Sequence, residues 1–68
     1  MKLFVEDIKG YMETYNNVKK IYIKKIDNKN NLIVKDIYNE ITYILLNQVK
    51  LAFLINVETM EEYFRYEK

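Results

Sequence analysis

The carboxylates are the only side chains here that could act as acid or base in the usual way, because the chain has no His and no Cys. They sit as Glu6-Asp7, as Glu61-Glu62 and as Asp36 with Glu40. Neighbouring residues on a helix diverge and acids on a polar face are ordinarily solvated, so these pairs predict solvated surface rather than a catalytic dyad. A single glycine is too few for a phosphate-cradling loop of the usual kind. The acids lack EF-hand spacing, and an ordinary zinc site has no ligands to draw on. The expectation is a protein that is not an enzyme and uses neither cofactor nor metal.

The cations are more informative, because they are segregated although the total is only +1. Residues 18–35 hold Lys19, Lys20, Lys24, Lys25, Lys29 and Lys35 against Asp27, six minus one, or +5. Residues 36–68 hold three cations against six acids, or −3, and residues 1–17 hold two against three, or −1. If Ile21 and Ile23 turn toward a core, Lys20, Tyr22 and Lys24 share the exposed side of one strand. An aromatic flanked by amines can stack a base while the amines meet phosphates. Lys20, Tyr22, Lys24 and Lys25 are therefore the expected contacts if segment 18–35 binds nucleic acid. Two facts weigh against that reading. Ten Lys, nine Ile, eight Asn and seven Tyr make half of the 68 residues, and these types share AT-rich codons, so coding bias inflates Lys. Exposed Lys also protects strands from edge-to-edge pairing.

The elements that position these residues follow from periodicity. Leu3, Phe4, Ile8, Tyr11, Met12 and Tyr15 recur at spacings of three and four, which predicts an amphipathic helix over 2–16, ended by Asn16-Asn17. Lys20 to Lys24 alternates over β-favouring types, a polar stretch 27–31 follows, and Leu32-Ile33-Val34 resumes, which predicts a hairpin with a loop longer than the tight Asn-Gly type. Residues 36–47 predict a second helix with Asp36 as N-cap. A competing strand over 41–46 would pair with 49–57 through Asn47-Gln48, and one helix over 36 to about 65 is a further alternative. Residues 49–58 predict a strand with Val49, Leu51, Phe53, Ile55 and Val57 inward and Leu54 on a second face that needs cover. Thr59 and Glu62 fit a capping box opening a last short helix. Neither repeat nor linker is expected, and the chain reads as one domain over 1–68.

The stretch Leu51 to Arg65 is faintly similar to the second and third helices of a helix-turn-helix. Its turn is about two residues short, and Glu58, Glu61 and Glu62 would face phosphate, so no family is assigned.

The fold class expected is therefore small α+β, in the order α-β-β-α-β-α with an antiparallel hairpin, or mostly α with one long C-terminal helical segment. The function expected is a small protein-binding regulator or inhibitor of the sort encoded by phage or other mobile elements, which self-associates as a homodimer or binds another protein. Its interface would comprise Leu54, Tyr63, Phe64 and Tyr66, since a short terminal helix cannot bury three aromatics on one stripe. The alternative is a nucleic-acid-binding module using 18–35. Met1 to Val5 runs straight into Glu6 and Asp7, unlike a secretory leader, and no apolar run approaches the ~20 residues of a membrane span. A cytoplasmic protein without membrane contact is expected.

Overall fold

Asp7 accepts hydrogen bonds at one carboxylate oxygen from the backbone N–H groups of Lys9 and Tyr11, both at 2.9 Å. Asp36 does the same for Tyr38 and Glu40, at 2.8 and 3.0 Å. In both turns the fourth residue is left-handed, Gly10 at φ 92 and Asn39 at φ 65, types that tolerate this region. Each turn therefore reverses the chain and closes a hairpin. Asn56 accepts from Glu58 and Thr59 in a third turn, which is one residue longer and ends on Met60 at φ 62.

The consequence is an all-β protein. The computed structural model describes residues 1–68 and has strands β1 (Lys2–Asp7), β2 (Met12–Tyr15), β3 (Val18–Ile26), β4 (Lys29–Asp36), β5 (Ile41–Leu45), β6 (Val49–Ile55) and β7 (Glu62–Glu67). Strands hold 66% of the residues and there is no α-helix, which overturns both the α+β order and the mostly-α alternative. One sheet has the order β2-β1-β6-β7 and the other β3-β4-β5, all antiparallel. The sheets join at a corner. Asn17, at φ 55, bends the chain from β2 into β3, and Met1 and Val18 exchange backbone hydrogen bonds beside it. Asn thus takes the left-handed conformation expected of it, at a strand corner instead of a helix end.

Each difference from the periodicity reading has a local cause. The expected helix over 2–16 is the β1–β2 hairpin, because the Asp7 turn interrupts the apolar stripe and Leu3 and Val5 alternate into the core. The expected helix over 36–47 is the Asp36 turn followed by β5. The strand expected as its competitor does form, but it pairs with β4 and not with 49–57. A 3-10 turn at Leu46–Gln48 carries the chain across to the other sheet. Thr59 opens no helix; its hydroxyl accepts from the Glu61 N–H within the turn before β7. The hairpin over 18–35 forms with a tight two-residue turn, Asp27 at φ 50 and Asn28 at φ 64. Two left-handed residues there match the strand twist as Asn-Gly would.

Residues 49–55 are a strand; Val49 is inward as expected, but beyond Lys50 the opposite face from the expected one is inward, and Val57 lies past the strand and is exposed. Glu6 pairs with Leu51 and Asp7 with Val49, so Lys50 is an extra residue in a bulge that flips the alternation. Val49, Ala52 and Leu54 consequently enter the core, and Leu51, Phe53 and Ile55 point outward, half-buried. The core between the sheets comprises Leu3, Val5, Val18, Leu32, Val34, Leu46, Val49, Ala52 and Leu54, with Tyr15, Ile21, Ile44, Phe64 and Tyr66 packed against it.

Candidate functional site

The registers of β3, β4 and β5 determine what their sheet shows to solvent. Val18, Ile21, Leu32, Val34 and Ile44 turn inward to the core. The alternate positions form three rows across the outer side: Lys20, Lys35 and Ile41; Tyr22, Ile33 and Tyr43; Lys24, Asn31 and Leu45. Ile26 and Lys29 extend that side at the hairpin end. Four lysines therefore share this face with two tyrosines, and no carboxylate lies on it.

Its central residue is unusual for an outward position. Ile33 is only 1% exposed although it lies outside the core cluster. Its directly opposite neighbours are Tyr22 and Tyr43, which are 41% and 60% exposed. The two tyrosines lie on strands two spacings apart, about 10 Å. The Lys20 ammonium lies 5.4 Å from the Tyr22 ring centroid, a cation–π contact that holds the amine above the sheet. The residues of this face are positioned by strand register and not by loops.

Of the residues singled out for nucleic acid, Lys20, Tyr22 and Lys24 lie together on this face, and Lys25 points to the other side of β3, paired with Asn30. Lys29, Lys35 and Tyr43 complete the face, and alternation along 20–24 could not reveal them because they arrive through cross-strand pairing.

The residues expected at a protein interface separate instead of clustering. Leu54 is 3% exposed in the core, so the second face it was expected to present does not include it. Phe64 and Tyr66 pack against the same core from β7. Tyr63, at a bulge in β7, is exposed and donates a hydrogen bond to Glu61 at 3.0 Å, which raises its pKa. A strand buries alternate aromatics that a short helix could not, and that is why two of the three turned inward.

No family model, curated protein or solved structure matches the chain. No helix of the structure is long and apolar enough to cross a membrane. No group of three or more acids lies together in a way that could hold a metal ion.

Proposed function

We propose that this chain is a small non-enzymatic binding module that takes single-stranded nucleic acid on the outer face of β3-β4-β5. The observation that carries the reading is the exclusion of every carboxylate from a face holding Lys20, Lys24, Lys29, Lys35, Tyr22 and Tyr43. Coding bias raises the number of lysines, but it does not keep ten acids off one side of a 68-residue protein. Bases can stack on the tyrosines only when unpaired, and the face projects neither a helix nor a ribbon into a duplex groove, so single strands are the better substrate. A strand crossing the β-strands would put different bases on Tyr22 and Tyr43 while lysines on either row meet phosphates.

The test is fluorescence anisotropy with labelled oligo-dT and oligo-rU of about ten nucleotides, a length within the usual span of such sites. Tyr22→Ala is expected to weaken binding about tenfold, in keeping with about 1–3 kcal/mol per stacked base. Lys24→Glu should weaken it strongly, and Lys9→Glu, the same charge change in the β1–β2 turn, should not. Absence of binding at low salt overturns the proposal, as does an equal loss from Lys9→Glu and Lys24→Glu.

A further inference from the structure

The other sheet also has an outer face, and nothing in the chain covers it. Its rows run Lys2, Ile55 and Glu62; then Thr14, Phe4, Phe53 and Arg65; then Met12, Glu6, Leu51 and Glu67. Phe4 and Phe53 stack at 5.0 Å between centroids with their planes 19° apart. Lys2 lies 5.5 Å from the Phe4 centroid and Arg65 lies 5.3 Å from that of Phe53, so each ring of the stack also meets a cation. Leu51 and Ile55 flank it, half-buried, and Met12 stands exposed at the margin. An antiparallel sheet facing water normally alternates to polar side chains, and the centre of this face does not.

The charges identify the occupant. Lys2, Lys50 and Arg65 are balanced by Glu6, Glu62 and Glu67, and two pairs are already joined, Lys50 to Glu6 at 3.9 Å and Arg65 to Glu62 at 2.7 Å. Three carboxylates make the face a poor site for phosphate, and its zero sum gives no attraction to a strongly charged protein. An apolar centre with a margin carrying both signs is complementary to itself. We infer that this face is the interface of a symmetric homodimer, with a second copy of the chain docked sheet to sheet across Phe4, Leu51, Phe53 and Ile55. This inference is independent of the nucleic-acid reading.

The size of the face sets the strength. Four strands at about 4.8 Å and six residues at about 3.3 Å make a patch of roughly 15–20 by 20 Å. Pairing two such patches covers roughly 600–800 Å² of footprint, below the ~1,000 Å² floor for a stable specific interface, so a weak dimer in reversible exchange with monomer is expected.

Sedimentation equilibrium across a concentration series should show a weight-average mass rising from 8.3 kDa toward twice that value. Leu51→Lys should raise the dissociation constant at least tenfold while circular dichroism shows the fold intact. Because the chain lacks cysteine, a second measurement is clean even if that variant unfolds: alkylation of a Leu51→Cys thiol should slow as protein concentration rises, and that of Tyr38→Cys should not. A mass fixed at 8.3 kDa up to millimolar concentration overturns the inference. So does a dimer that leaves the thiol at position 51 equally reactive at every concentration, since its interface would lie elsewhere.

Discussion

Met60 stands where the other two Asx turns place Gly10 and Asn39, at φ 62 with a β-carbon that this region disfavours. The left-handed conformation costs a residue of its kind roughly 1–2 kcal/mol. Met60 is 69% exposed, so changing it removes almost no packing. Met60→Asn is expected to stabilise the domain by about 1 kcal/mol, read as a Tm higher by about 4–8 °C. An unchanged Tm would mean the turn relaxes without cost. Tyr15 offers a second single-residue handle. Burial, with the hydrogen bond its hydroxyl donates to Glu13 at 2.7 Å and that carboxylate's charge, pushes its pKa up to about 12 from an ordinary value of 10. The folded state therefore holds this proton more tightly than the unfolded chain does. Its contribution to stability is complete below pH 10 and is lost as pH rises from 10 to 12. Urea midpoints compared across that range should fall more steeply for the natural chain than for Tyr15→Phe. Parallel curves would show that the phenol is solvated.

At the scale of elements, three turns set most of the topology, and two of them repeat in sequence. Val5-Glu6-Asp7-Ile8-Lys9-Gly10 and Val34-Lys35-Asp36-Ile37-Tyr38-Asn39 share Val-x-Asp-Ile-x followed by Gly or Asn. That recurrence was the signal that could have replaced the expected helices over 2–16 and 36–47 with hairpins. Periodicity missed it for a physical reason. β1, β2 and β5 have six, four and five residues, so each offers only two or three inward positions, and strands that short joined by a four-residue connection fit a 3.6 period as well as a period of two. The nine-residue strand β3 is long enough to separate the periods, and the alternation of Lys20, Tyr22 and Lys24 agrees with its register, although of the two isoleucines expected inward only Ile21 packs on the core and Ile23 is 49% exposed. In β6 the alternation predicts the wrong face inward beyond Val49, because the bulge at Lys50 depends on its pairing with β1. Candidate positions on one long strand were therefore readable, and those needing a partner strand were not. Leu54 shows this most plainly, because its place in the core depends on Leu3 and Phe64, its neighbours across β1 and β7.

At the scale of the molecule, a net charge of +1 conceals two sides of different character. One core separates them, with the lysine and tyrosine face outside one sheet and the stacked phenylalanines outside the other. A sheet-to-sheet dimer would leave both basic faces pointing away from the interface, free to hold two strands or two parts of one. The two surfaces then differ in their response to salt. Neutralising phosphates on a single strand releases counterions with a slope of about −0.7 per contact, so four lysines give a slope no steeper than about −3 in log K against log salt. Self-association across the phenylalanine face would rest on apolar burial, with two ion pairs already joined inside each protomer, and exposed pairs of that kind contribute little. Raising the salt from 50 to 300 mM, roughly sixfold, is therefore expected to weaken oligonucleotide binding by up to about 200-fold. The dimer dissociation constant over the same range should change less than about threefold. Both are measurable on one preparation by anisotropy and sedimentation. If the two constants weaken together, binding and association share one surface, and the division of labour between the sheets is wrong.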